Sequence, residues 1–126
     1  MKMNKLFNLK DTNYKVSPGG VYIGREMKRY NLSASIWANQ FKIDTFYQGR
    51  ILTREYAIEA YADWLLYSDE GLKVFSHISE LTCKNLFCWC DPRRCHGEIL
   101  IRLSNPTIDL KHEIFDITNE YLVNHN

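Results

Sequence analysis

Asn85-Leu86-Phe87-Cys88-Trp89-Cys90-Asp91-Pro92-Arg93-Arg94-Cys95-His96-Gly97-Glu98 is the stretch on which the fold turns. Its first six residues form an apolar run bounded by polar residues, the pattern of a strand in the middle of a sheet. Alternation along that strand puts Cys88 and Cys90 on one face and Trp89 on the other. Asp91-Pro92 ends the strand, and Arg93-Arg94 turns the chain. From Cys95 to Leu103 the spacing predicts a helix, with Ile99, Leu100 and Leu103 on one stripe and Asn105-Pro106 closing it.

Working outward, Lys5-Leu6-Phe7-Asn8-Leu9 reads as a short first strand. Ser17-Pro18-Gly19-Gly20 is turn chemistry, and Val21-Tyr22-Ile23 is a short buried strand that stops at Gly24-Arg25. Residues Glu26 to Leu52 show no clean period and read as a long, partly ordered loop, a feature that is often functional in a small domain. Thr53 is a good helix N-cap. The apolar residues Tyr56, Ala57, Ala60, Tyr61, Trp64 and Leu65 follow at amphipathic spacing. Ser68-Asp69-Glu70-Gly71 breaks this helix, Leu72 to Ile78 forms a shorter one, and a last amphipathic segment runs from Ile108 to Leu122. Strands interleaved with helices predict a small Rossmann-like three-layer α/β domain with a mostly parallel sheet. No repeat, low-complexity tract or linker divides residues 1–126, so a single domain is expected, with 105–126 as a C-terminal helical extension.

The chain has 126 residues, with 16 Lys and Arg against 15 Asp and Glu. That balance excludes a broad cationic face for duplex nucleic acid but leaves room for a local basic site. A 45% hydrophobic and 25% charged composition is that of an ordered globular chain. No apolar run is long enough to span a membrane, and Met1 to Lys10 is basic without the apolar stretch of a signal peptide. A reducing, cytoplasmic setting is therefore expected, with the four cysteines as thiols or ligands rather than disulfides.

The expected site lies where the central strand ends. Ligands of open α/β sheets bind outside the carboxyl ends of strands. A helix beginning at Cys95-His96-Gly97 would offer free N–H groups and a favourable dipole to an anion. Arg93 and Arg94 add fork-shaped donors, and the same field would favour a Cys95 thiolate. Cys90 and His96 flank this strand exit, whereas Cys88 by itself reads as a small buried core residue. A zinc site is the competing reading: Cys88, Cys90, Cys95 and His96 are four suitable ligand types, with Cys83 as a fifth. Their spacing, however, is not that of the common zinc knuckles.

A second constellation is Tyr22-Ile23-Gly24-Arg25 with Ser35-Ile36-Trp37-Ala38-Asn39-Gln40-Phe41. Gly24 permits close backbone approach, and Arg25 is suited to a phosphate or carboxylate. Trp37 and Phe41 are candidates to stack on a base and Asn39 to bond its edge, although each singly is as well explained by structure. Arg54 reads as a solvated or ion-paired side chain. His77, His112 and His125 have no partner pattern. There is no phosphate loop, nucleophile elbow or glycine-rich dinucleotide fingerprint.

Val21-Tyr22-Ile23-Gly24-Arg25, Trp37-x-Asn39-x-Phe41, Thr53-Arg54-Glu55 with Tyr61 and Trp64-Leu65, and Leu86-x-Cys88-Trp89-Cys90-x-Pro92-x-x-Cys95-His96-Gly97 occur in that order. Over residues 20–104 the chain resembles a small family of domains of unknown function from phages and bacteria with a C-W-C-x-P-x-x-C-H-G signature. It departs from that pattern at Ala38 and Gln40, where the family has glycine and proline, and at Cys83, where glycine is common. The resemblance implies a fold similar to nucleotide-binding Rossmann-like domains and no particular reaction.

These readings converge on one expectation: a pocket for a nucleotide or a nucleotide-derived phosphorylated small molecule. Arg25, Arg93 and Arg94 would hold phosphate, Trp37 and Asn39 would lie by the base or sugar, and Gly24, Cys90, Cys95, His96 and Gly97 would complete the lining. In a phage-infected cell such a pocket would sequester a host signalling nucleotide. The alternatives are an enzyme on nucleosides or nucleotides, with Cys95 or His96 as nucleophile or base and Glu98 as acid, and a zinc-stapled interaction domain.

Overall fold

The computed structural model describes residues 4–90 and 93–105. The expected Asp91-Pro92 turn, the segment from Ile108 to Leu122, His112 and His125 lie outside the described residues. The strands are β1 (Leu6–Asn8), β2 (Val21–Tyr22), β3 (Phe46–Tyr47), β4 (Arg50–Ile51) and β5 (Leu86–Cys88). The helices are α1 (Arg54–Tyr67), α2 (Asp69–Phe75) and α3 (Gly97–Ser104). None of these helices is long and apolar enough to cross a membrane.

The domain is mixed α/β, and its main sheet is parallel. β5 lies between β1 and β2, with Leu6 opposite Leu86, Val21 opposite Leu86 and Tyr22 opposite Phe87. All three β5 residues are buried, as a wholly apolar strand between two parallel neighbours requires. The Ile23 N–H donates to the Phe87 carbonyl at 3.0 Å and so carries the ladder one residue past β2. Leu86, Cys88, Ile23 and the α3 residues Ile99, Leu100 and Leu103 share a core with Trp37 and α1.

Thr53 caps α1 as expected, its Oγ1 accepting the Tyr56 N–H at 3.2 Å. The buried face of α1 is Ala57, Ile58, Tyr61, Ala62, Leu65 and Leu66, so it is rotated from the expected stripe. Apolar residues occupy more than one side of this helix, and periodicity alone does not choose between them. The amphipathic Tyr56 and Trp64 rings take the half-buried edge, where the Arg50 guanidinium stacks 3.8 Å from the Tyr56 ring centre.

Ser68 ends one helix and starts the next. Its N–H donates to the Trp64 carbonyl at 3.1 Å, and its Oγ accepts the Gly71 N–H at 2.9 Å. This cap starts α2 at Asp69, earlier than the expected Leu72, and Ile78–Leu81 forms a separate 3-10 turn.

The stretch from Glu26 to Leu52 holds more order than its sequence pattern predicts. Lys28–Tyr30 is a 3-10 turn, and β3 and β4 form an antiparallel hairpin. The hairpin loop is Gln48-Gly49, with φ of 49° and 84°. Tight two-residue hairpins need positive φ at both positions, and Asn-Gly or Asp-Gly is the usual signal. Glutamine in the first position hid the hairpin.

Candidate functional site

A cavity of about 510 Å³ opens at the carboxyl ends of β2 and β5. β2 and the residues after it contribute Tyr22, Gly24, Arg25, Glu26 and Met27, while β5 and its exit contribute Cys88, Trp89 and Cys90. The N-terminal part of α1 supplies Arg54, Ala57 and Ile58, and the loop before the hairpin supplies Asn39, Phe41, Lys42 and Ile43. Arg94, Cys95 and His96 complete the wall just before α3. Arg25 and Arg94, 69 positions apart in the chain, therefore share one cavity.

Not every expected residue is there. Arg93 is exposed and outside the lining. Trp37 is 2% exposed in the core, its carbonyl accepting the Tyr61 hydroxyl at 2.9 Å, so its ring has no access to a guest. Gly97 faces the sheet: a Cβ there would sit 2.7 Å from a Leu6 methyl and 2.8 Å from an Ile23 methyl. Its smallness serves packing of helix against strand. Gly24 lines the cavity, but the space a Cβ would take is filled by the Tyr22 ring and hydroxyl.

The expected free N–H groups at the start of α3 are engaged within the chain. Gly97 donates to Cys95 Sγ at 3.4 Å, Glu98 to the Cys95 carbonyl at 3.0 Å, and Ile99 to the His96 carbonyl at 3.1 Å. The cationic side chains, not the helix end, carry whatever attraction the cavity has for an anion. Among the described residues, four of them line it, Arg25, Lys42, Arg54 and Arg94, with Glu26 as the acidic residue of the wall. Arg25 is braced by a 2.9 Å bond from its Nε to the Asn39 carbonyl. Arg54 Nη1 donates to the Arg94 carbonyl at 3.1 Å, and Arg94 Nε lies 3.4 Å from Glu98 Oε2. Glu98 is thus an ion-pair partner outside the lining. Asn39 is occupied as well, Oδ1 accepting the Phe41 N–H at 2.9 Å and Nδ2 donating to the Ala57 carbonyl at 3.3 Å.

Arg54 and Lys42 were not legible as site residues. Arg54 did leave a signal: a cation in the first turn of a helix opposes the dipole, so its position there asks for another reason. Two further lining residues outside the expected set, Tyr22 and Trp89, are locked to each other by a 2.8 Å bond from the indole N–H to the phenol oxygen. The Tyr22 hydroxyl in turn donates to the Arg25 carbonyl.

The thiol chemistry is the reverse of the sequence expectation. Cys95 is 2% exposed, and its thiol is bonded with Cys88 and Cys90. Those two contacts and burial push its pKa up, outweighing the Gly97 N–H that would lower it. Cys90 is half-buried and opens on the cavity. A hydrogen bond from Cys95, then bonding and charge from Arg54 and charge from Arg93, bring its pKa down to about 6 despite partial burial. Both directions favour ionisation at Cys90 over Cys95.

His96 caps α3 from inside the protein. Its Nε2 lies 3.0 Å from the Ile23 carbonyl, which can only accept, so Nε2 carries the proton. Burial, against the bonds to Ile23 and Trp37, lowers its pKa to about 4 and keeps it neutral. Nδ1 lies 3.4 Å from Cys95 Sγ. These two residues precede the helix, so their side chains are not spread apart by helical rotation.

Cys83 is exposed and outside the cavity, and His77 is exposed beside Glu80 at 3.2 Å. Among the described residues, no group of three or more His, Cys, Asp or Glu is arranged to hold a metal ion.

The sequence profile of the domain of unknown function DUF4326 matches residues 7–106. The chain belongs to the DUF4326 family. Among the described residues, the matched span begins within β1 and contains β2 to β5, α1 to α3 and every residue that lines the cavity. An uncharacterised protein of Acanthamoeba polyphaga mimivirus is 37% identical to this DUF4326 chain over 93 residues, covering 66% of the chain and 65% of the relative. The chain thus spans just under two thirds of that relative's length. No solved structure matches.

Proposed function

We propose that the cavity binds a nucleotide or nucleotide-derived phosphorylated small molecule. The observation that carries this reading is the meeting of Arg25, Lys42, Arg54 and Arg94 around one opening at the carboxyl ends of parallel strands. Guanidinium groups suit phosphate because they offer paired donors in a fixed plane. The remaining wall, with Phe41, Ile43, Met27, Ile58 and Trp89, is apolar and suits the flat face of a base. A volume of about 510 Å³ accommodates a guest of that size. Its position in the sheet is where Rossmann-like domains take their ligands, and this likeness supports the reading by analogy of fold alone.

Titration calorimetry of the whole chain against mono-, di-, tri- and cyclic nucleotides, with inorganic phosphate and unphosphorylated nucleosides as controls, tests the reading. A saturable heat with phosphorylated members that weakens at high salt is expected. Silence across the panel, or equal binding of nucleosides, sinks it. A second reading, turnover of the same guest, is favoured by the Cys90 thiolate at the cavity surface. Mass spectrometry of a panel member incubated with the protein separates turnover from binding alone.

A further inference from the structure

We propose that Cys90 is the nucleophile of the cavity, placed to attack an electrophilic carbon of an anionic guest. The inference goes beyond nucleotide binding, since it requires only a guest with negative charge and a leaving group. Three observations support it. Cys90 lies in the wall of the cavity, which Arg25, Arg54 and Arg94 also line. Its sulfur is within hydrogen-bonding reach of the Arg54 side chain and of the Cys95 thiol. Cys95, in turn, is held by Cys88 and by the Gly97 N–H, which donates to its sulfur at 3.4 Å.

The arrangement distinguishes two neighbouring cysteines by burial. Cys95 keeps its proton and directs it at Cys90, because a thiol donating to a thiolate makes a stronger bond than one donating to a neutral sulfur. Cys90, closer to solvent and to Arg54, gives up its proton to water. Among the described residues, the groups that act on it are Arg54 from α1 and Cys95 from the segment before α3, with the charge of the exposed Arg93 reaching it from outside the lining. Cys88 stands behind Cys95 on β5. In the step itself, a lone pair of Cys90 Sγ forms a carbon–sulfur bond. The bond from that carbon to its leaving group breaks, and the leaving group departs with the bonding electrons as an anion. Arg54 neutralises the sulfur before attack, and the cationic wall receives the departing charge. No oxidant, reductant or proton is consumed.

Alkylation of the full chain by iodoacetamide and iodoacetate, across about pH 5–9, tests this, with peptide mapping reading each cysteine separately. Cys83, exposed and outside the cavity, is the internal reference. A lower pKa raises the thiolate fraction but reduces intrinsic nucleophilicity, so the net advantage is greatest in acid. Near pH 6, Cys90 is expected to label about tenfold faster than Cys83, with a pH midpoint near 6. The rate ratio of iodoacetate to iodoacetamide is expected to be several times higher at Cys90 than at Cys83. Arg54→Met should raise the Cys90 midpoint, and Cys90→Ser should abolish labelling in acid while circular dichroism stays native. If Cys90→Ser fails to fold, the site-resolved profile of the natural chain decides by itself. Faster labelling of Cys83 near pH 6, or coincident midpoints at the two sites, overturns the nucleophile. An equal charge ratio at both sites overturns the anionic class of guest. None of these readouts contains a nucleotide, so failure here and failure of nucleotide binding are separate results.

Discussion

The Nε2–H of His96 donates to the carbonyl of Ile23 at 3.0 Å, tying the cap of α3 to the end of β2. This bond joins the two halves of the cavity wall, because Arg25 follows Ile23 and Cys95 precedes His96. Either form of the ring can make this bond; burial is what keeps the ring neutral, lowering the folded pKa to about 4 from the ordinary 6.5. Between these values the unfolded chain binds a proton that the folded one refuses. Stability is therefore complete above about pH 6.5 and falls as the solution is acidified toward about pH 4, by up to about 3 kcal/mol. Urea unfolding across this range should show the decline, and His96→Gln should flatten it even if that variant is less stable throughout. A natural chain with constant stability across the window contradicts the assignment.

The corner between α1 and α2 depends on Gly71. A Cβ at this position would lie 1.7 Å from the Trp64 carbonyl oxygen, a backbone atom that cannot turn aside. Gly71→Ala is expected to cost more than about 2 kcal/mol, because the two helices must separate. Thermal unfolding measures it, and a melting temperature within a degree or so of the natural chain would show that the corner yields.

Tyr61 holds the loop that carries Asn39. Its buried hydroxyl donates to the Trp37 carbonyl at 2.9 Å, while its ring meets the His96 ring at 4.8 Å between centres. Tyr61→Phe leaves the ring contact and removes one donor from the buried carbonyl, which should cost about 1 kcal/mol by denaturant titration. Unaltered stability would mean that the carbonyl finds another donor.

Among the arginines, the cavity separates partners from bystanders. Arg25→Ala and Arg54→Ala should each weaken binding of a phosphorylated guest by about tenfold or more, the scale of one charge-assisted hydrogen bond. Arg93→Ala, at an exposed position outside the lining, should change affinity by no more than about twofold. Calorimetry on the three variants ranks them, and an Arg93 effect as large as that of Arg25 would place the guest elsewhere.

Some of this was legible in local chemistry. The run from Leu86 to Cys88 reads as a central strand because only a position covered on both faces tolerates three consecutive apolar side chains. Thr53 reads as a cap because its hydroxyl is the right length to reach a backbone N–H three residues on, whereas Ser68 read only as a break and its capping of α2 emerged from the structure. Trp37 was misplaced since an indole serves equally well in a core and on a base, and neighbouring residues do not decide between them. Arg54 was overlooked because its role depends on Arg94 and Cys90, which only folding brings near.

The four cysteines show where the boundary lies. By itself the sequence determined that a buried strand ends at a turn rich in arginine and sulfur and leads into a helix, since residue type and period act over a few positions. Which sulfur ionises was decided by the tertiary structure. A pKa depends on burial and on charges within a few ångströms, and α1 supplies Arg54 to Cys90 while the core closes over Cys95. Likewise, a strand exit bearing Arg25 could be read locally, but its meeting with Arg94 follows from the pairing of β2 with β5, a contact between distant segments.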